Sequence, residues 1–179
     1  MRRLTIPLTA LVALTLSGCW VSEDPLIPDA AKDMPQLGSR YVELNSDGSE
    51  ARLALIEVTD GEIHLTLEHG TESRQRYWLR FDRLYDDWYL LQAIPEDENP
   101  DMLAFFRLLK AQGQQWLEFA PGCGEDLAGI AGIERSGGDC SFSGYASLAA
   151  AATIEARKID ASNGNAGEFS GSYVPEQPR

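Results

Sequence analysis

ARLALIEVTDGEIHLTLE, residues 51–68, decides the fold of this chain. In its second half Ile63, Leu65 and Leu67 alternate with polar residues, which is the period of a half-buried strand. An Asp-Gly pair, Asp60-Gly61, separates the two apolar runs, and this dipeptide is a strong hairpin signal. The stretch therefore predicts two antiparallel strands, over 51–58 and 62–68, joined by a two-residue turn.

Similar runs continue on both sides of this hairpin. We predict further strands over residues 39–45, 75–81, 87–94 and 114–119, with a second hairpin turning at residues 84–86. Consecutive short strands joined by turn residues form an antiparallel meander.

Residues 99–113 (NPDMLAFFRLLKAQG) fit two structures. Asn99, Pro100 and Gly113 are placed as the cap, first residue and stop of a helix. However, Gln112-Gly113 directly precedes a good strand, and a run that is apolar on both faces also fits a buried strand. We predict a strand here, with the helix as the alternative.

The alanine-rich residues 145–159 predict one helix, with Ser143 as its cap and basic residues in its last turn. Residues 161–179, rich in Ser, Asn, Gly and Pro, predict a loose tail. The chain is thus expected to be mainly β: a small antiparallel barrel or strongly curved meander sheet, lipocalin-like in general form, with one C-terminal helix. A single domain spans 37–160.

The N-terminus carries a targeting pattern. Two arginines, Arg2 and Arg3, precede the uncharged residues 4–16, which are too few to span a bilayer but suit a signal peptide. The run ends in Leu16-Ser17-Gly18-Cys19, which resembles the lipobox of bacterial lipoproteins. The resemblance implies removal of residues 1–18 and acylation of Cys19, with palmitate among the possible chains. The alternative is an ordinary cleaved signal peptide with an incidental cysteine.

The residue after the cysteine bears on the membrane in which a lipoprotein is anchored. In lipoproteins an aspartate there favours inner-membrane retention, whereas this chain has Trp20, which implies the outer membrane, facing the periplasm. Residues 20–36 contain three prolines and predict a flexible tether. The alternative is a short strand at 25–28 docked on the domain.

Two cysteines remain after lipidation, Cys123 and Cys140. In an exported chain an even count predicts one disulfide, closing a loop of about 17 residues. A metal or redox pair is the alternative, but the spacing is not that of a CxxC motif.

Charge and residue types narrow the function classes. With 28 acidic and 15 basic residues the chain lacks the basic stripe of a nucleic-acid binder. On the predicted strands His64 and His69 point apart, so we predict no triad, no enzyme, no metal site and no cofactor. Acidic clusters around Asp47 and over residues 96–101 could bind calcium weakly, but they lack the EF-hand order of ligands.

Most aromatic residues lie between Tyr77 and Phe119. Adjacent pairs put one ring on each face of a strand, so they serve the core or form a binding face, for which the candidates are Trp78, Trp88, Tyr89 and Trp116. The leading hypothesis is a non-catalytic envelope module that binds a protein or an apolar ligand or supports the envelope. The alternatives are a lysozyme-inhibitor type of enzyme inhibitor, an envelope enzyme or a small apolar-ligand carrier.

Overall fold

A computed structural model describes residues 20–28, 35–69, 73–96, 103–136, 138–164 and 168–177. In these ranges the chain forms eleven strands, one α-helix and a 3₁₀ turn over Glu125–Leu127. In chain order the elements are β1 Trp20–Ser22, β2 Arg40–Asn45, β3 Glu50–Thr59, β4 Glu62–His69, β5 Ser73–Tyr85, β6 Trp88–Pro95, β7 Ala104–Gln112, β8 Gln115–Ala120, β9 Ile133–Ser136, β10 Asp139–Phe142, α1 Tyr145–Ala161 and β11 Glu168–Pro175.

Eight of these strands close into an antiparallel barrel. Strands β2 to β8 follow one another around it, and β11 completes the ring between β8 and β2. The fold class is therefore confirmed as a mainly β chain, a small closed barrel with one helix. Strands β1, β9 and β10 form an extra layer attached to β7.

The hairpin that decides the fold is formed as predicted. Asp60 and Gly61 both have positive φ, 55° and 85°, and Thr59 pairs with Glu62 across the turn. Both central residues of a type I′ turn need positive φ, which explains the Asp-Gly pair.

Strand β7 resolves the ambiguous segment in favour of the predicted strand over residues 104–112, whereas residues 97–102 lie outside the described ranges. Both faces of this strand are covered. Leu109 points into the barrel, and Phe106 and Leu108 point outward beneath other elements. The alternation of the strand thus sends neighbouring apolar side chains into two separate cores.

The predicted tether is wrong for the described residues 20–28, which pack against the outside of the barrel; we call this segment the strap. Trp20 is fully buried within β1, and Ile27 is buried farther along. The buried amide of Gln92 on β6 accepts hydrogen bonds from the backbone N–H groups of Leu26 and Ile27 at 3.0 and 3.1 Å. The prolines of the strap therefore belong to a docked segment and not to a flexible spacer.

The predicted loose tail is also wrong where it is described. Strand β11 pairs with β8 on one side and β2 on the other, so the barrel closes through residues assigned to the tail. Gly171 is required there, because a Cβ at this position would lie 2.3 Å from the carbonyl oxygen of Leu44. A local bulge between Phe169 and Gly171 accompanies this close approach.

Helix α1 lies outside the barrel and contacts β5, β6 and β10. Its buried face combines three alanines with Ser147, Leu148, Glu155 and Ile159. The predicted cap is wrong: Gly144 is the N-cap residue, and the Ser143 hydroxyl donates to the carbonyl oxygen of Gly132.

The barrel wall thus separates two apolar clusters. The inner core fills the barrel with side chains that include Tyr41, Leu65, Phe81 and Trp116. The outer core lies between the wall and the strap, β10 and α1, with Trp20, Trp88, Leu90, Phe106 and Leu148 among its members. The predicted disulfide between Cys123 and Cys140 is confirmed and borders this outer core.

Candidate functional site

The structure divides the four candidate aromatic residues among three environments. Trp88 is buried in the outer core, where its Nε1 donates to an Asp160 carboxylate oxygen at 2.9 Å. Tyr89 and Trp116 lie inside the barrel with ring centroids 5.6 Å apart. Only Trp78 among the four faces outward and is exposed, to 45%. The four candidates therefore do not share one face, because alternation along the strands separates these rings: three serve the two cores and one is exposed.

Trp78 lies in a groove of about 370 Å³ on the outside of the barrel, which we call the Trp78 groove. Strand pairing places it directly between His64 on β4 and Ile94 on β6. Pro25 and Pro28 of the strap form the opposite wall. Side chains from β4, β5, β6 and the strap thus build the groove together, and its lining combines apolar with polar and charged groups.

The wall formed by the strap is held in place by buried polar contacts. Arg80, also on the groove, donates from Nη1 to the carbonyl oxygen of Ile27 at 2.7 Å. The side-chain nitrogen of Gln92 faces the Ser22 hydroxyl at 3.3 Å while its oxygen accepts from the strap backbone. Buried hydrogen bonds of this kind fix the groove before any partner arrives.

Charged groups surround the apolar part of the groove. Asp60 and Glu62 lie at one rim. Beside Trp78, the Nδ1 of His64 contacts a Glu96 carboxylate oxygen at 2.7 Å, and Arg76 reaches the other oxygen at 3.2 Å. The second ring nitrogen of His64 faces Glu62 at 3.9 Å. Both ring nitrogens therefore face carboxylates, an arrangement that differs from a nucleophile–base pair.

The inside of the barrel offers a second, smaller space. Its mouth encloses about 230 Å³ and combines apolar side chains of the inner core with the charged groups of Arg52, Arg107 and Glu118. Arg52 makes a two-point ion pair with Glu43, and Glu118 accepts from the Tyr173 hydroxyl at 2.7 Å. Burial raises the pKa of Tyr173 well above its ordinary value, and the neighbouring Glu118 carboxylate adds to this shift.

Deeper in the barrel an apolar cavity of only about 40 Å³ remains. Ligand pockets in proteins usually enclose roughly 300 Å³ or more. Trp116 lines this cavity, and its buried Nε1 has no hydrogen-bond partner among the described residues. The large side chains of the inner core thus leave little space in the barrel as it stands.

The other predicted candidates have structural roles where they are described. Asp47 accepts from the backbone and hydroxyl of Ser49, and this lowers the pKa of the Asp47 carboxyl. His69 contacts the carbonyl oxygen of Ala51 at 3.1 Å, away from His64. In the described ranges no group of three or more His, Cys, Asp or Glu residues is arranged to hold a metal ion.

The predicted lipidation site Cys19 lies outside the described residues. Its neighbour Trp20 begins β1, and no helix in the described part of the chain is both long and apolar enough to cross a bilayer. Sequence reasoning missed the strap as a wall of the groove. The available signal was the apolar pair Leu26-Ile27 enclosed by prolines, since a solvated spacer has no use for two adjacent aliphatic residues.

Comparison with protein-family models, curated proteins and solved structures finds no match for this chain.

Proposed function

We propose that this chain is a lipid-anchored, non-catalytic binding module of the bacterial outer membrane, facing the periplasm, that holds a protein partner in the Trp78 groove. The observation that carries the proposal is the 45% exposure of Trp78 in a groove that combines apolar side chains with charged groups. Tryptophan and arginine dominate the binding energy of protein interfaces, and Trp78 and Arg80 both line this groove.

The groove suits a partner because it is already formed. Gln92 and Arg80 fix the strap, so little conformational entropy is lost when a partner binds. Asp60 and Glu62 at the rim, on a chain with formal charge −13, favour a partner segment that carries basic side chains beside an apolar anchor.

Two observations support export of the domain. Leu16-Ser17-Gly18-Cys19 resembles a lipobox, and the pairing of Cys123 with Cys140 is typical of an oxidising compartment. Acylation of Cys19 would make the attachment to the membrane stable, since two or more acyl chains hold a protein far more firmly than one.

The anchor is tested with Cys19→Ala. Metabolic labelling with radioactive palmitate should mark the wild-type protein and not this variant, which should move from the membrane fraction to the soluble fraction. Label that persists in Cys19→Ala would contradict the lipid attachment.

The groove is tested by photo-crosslinking in native envelopes, with benzoylphenylalanine at Ile94, which lies beside Trp78 in the groove, and, as the control, at Ile154, an exposed apolar residue on α1. We expect a discrete adduct from position 94 only. An excess of purified, unlipidated domain should compete it away, and the same domain carrying Ile154→Ala should compete equally well.

A domain carrying Trp78→Ala should compete at least tenfold less well, since a large buried interface aromatic contributes about 2 kcal/mol or more. Equal competition by the Trp78→Ala and Ile154→Ala domains would overturn the assignment of the groove.

The unpartnered indole of Trp116 supports a second candidate, a small amphipathic ligand that enters through the mouth, widens the small cavity that Trp116 lines and offers an acceptor to Nε1. Here Trp116→Phe should weaken the binding of a probe such as monodecanoylglycerol in calorimetry. If Trp116→Phe changes stability but not probe affinity, or if no heat of binding is seen, this candidate fails.

A further inference from the structure

Strand β1 starts one residue after the predicted acylation site. Its first residue, Trp20, is fully buried and pairs in parallel register with Cys140 of β10. On its other side β1 pairs with β7, where Val21 lies opposite Phe105. The chain is therefore fixed in the sheet from Trp20 onward.

Two side-chain contacts hold Trp20 in place. Its indole Nε1 donates to the carbonyl oxygen of Gly122 at 2.9 Å, and its ring packs on Phe142 with centroids 4.9 Å apart. Gly122 directly precedes Cys123, whose disulfide partner Cys140 is the residue paired with Trp20. The disulfide thus ties together both segments that enclose the tryptophan.

Consecutive Cα atoms lie about 3.8 Å apart, so a lipid on Cys19 would leave the protein at this point on the surface of the domain. We infer that the barrel rests directly on the bilayer, with the β9–β10 hairpin and the segment around Gly122 as the surface in contact with the lipid headgroups. The inference rests on the acylation of Cys19 that is part of the proposed function, and it adds which face of the domain meets the lipid.

The acyl chains would hold the domain at the bilayer, whereas the negative charge of the protein opposes contact with anionic lipids. Two acidic residues, Asp139 and Glu134, and one basic residue, Arg135, are exposed on the hairpin, so its charge is net acidic, and the mature chain would also lack Arg2 and Arg3. Acidic side chains are repelled by anionic lipids over roughly a Debye length, about 8 Å at physiological salt. The contact should therefore be closest on zwitterionic membranes and loosen as the anionic lipid content rises at low salt.

The test uses the full lipidated protein reconstituted in phosphatidylethanolamine and phosphatidylcholine vesicles that contain a headgroup-nitroxide lipid. A fluorescent non-canonical amino acid is placed at Ser136 or at Glu57, both exposed. Ser136 pairs with Asp139, which directly precedes Cys140, the residue paired with Trp20. Glu57 lies on β3, four strands around the barrel from β7. We expect quenching at Ser136 to exceed that at Glu57 by threefold or more.

A matched variant inserts a Gly-Ser spacer of about ten residues between Cys19 and Trp20, which behaves as a flexible chain. The spacer should lower quenching at Ser136 to the level at Glu57 without changing the circular dichroism of the domain. Equal quenching at the two positions without the spacer would overturn the direct contact. Protein that does not float with the vesicles at all would instead indicate that acylation, and with it the proposed anchor, has failed.

Discussion

Strands β4 and β6 show two ways of burying a strand in one barrel wall. On β4 the inward residues Ile63, Leu65 and Leu67 are buried, and the outward residues stay exposed or half-exposed. On β6 the residues from Leu90 to Ala93 are all buried, since the barrel interior lies on one side and the outer core on the other. One half of the barrel thus has a solvated outer face, and the other half lies inside a second core.

The strongest test of this difference places the same charge on the outer face of each strand. Leu90→Asp should cost more than about 4 kcal/mol of the free energy of unfolding, because a carboxylate would be buried in the outer core without a partner. Thr66→Asp on β4 should change it by less than about 0.5 kcal/mol. Urea denaturation measures both. Similar effects at the two positions would show that the outer face of β6 is not buried.

The disulfide tests how far the second core depends on a covalent link. The double variant Cys123→Ser/Cys140→Ser should lose about 3 kcal/mol of stability, the value expected for a closed loop of this size. Reductant should lower the urea midpoint of the wild-type protein similarly and leave that of the variant unchanged. A loss below about 1 kcal/mol would mean that packing around Trp20 holds these segments without the bond.

A smaller effect is expected where the strap crosses β6. Gln92→Leu removes the acceptor for the backbone N–H groups of Leu26 and Ile27 and should cost about 1–3 kcal/mol. Hydrogen exchange of these two amides should accelerate well before global unfolding. The exposed Gln112→Leu is the matched control and should leave both amides protected. Unchanged exchange of the two amides in Gln92→Leu would show that the Gln92 side chain does not hold the strap in place.

The smallest effect concerns Asp160, at the end of α1. Burial opposes its charge, but hydrogen bonds from Lys110, Trp88 and Tyr85 outweigh it and lower the pKa of this carboxyl. Its stabilisation is therefore complete above the ordinary pKa of 3.8 and is lost as pH falls through the lower folded value. Because the side chain is 37% exposed, the contribution should stay below about 1 kcal/mol.

Asp160→Asn should accordingly be slightly less stable than wild type at pH 7, with the difference disappearing toward pH 2 in urea denaturation. In the same variant the pKa of Tyr85, which burial and Asp160 raise to about 12, should fall. Ultraviolet titration reads this directly, and Glu57→Gln serves as the control for a general change in charge. A stability difference that grows on acidification would contradict a lowered pKa for Asp160.

Strands β4 and β7 show how much of the fold the sequence could predict. Alternation identified β4 and its turn, because one face of this strand is exposed to solvent and carries polar residues. The residues of β7 face two cores, so that periodicity could not distinguish strand from helix and only the following turn favoured the strand. A docked segment at 25–28 was only the alternative prediction and β11 was not predicted, since each owes its order to distant partners: Gln92 for the strap, and β2 and β8 for the last strand.

The candidate groove was partly predictable for the same reason. Adjacent aromatic residues indicated that one ring of each pair would point out of the barrel, and Trp78 does so. Which outward rings would stay exposed depended on where α1 and the strap pack. The outer core that these elements form covers Trp88 but not Trp78.

The strap has a practical consequence for anyone who expresses this domain. The proline-rich composition of residues 20–36 invites truncation at residue 37 to obtain a soluble fragment. Such a fragment would lack β1 and would leave the amide of Gln92 without its backbone partners. It would also lose Pro25 and Pro28, so a failed binding assay with that fragment would report on the boundary chosen and not on the natural protein.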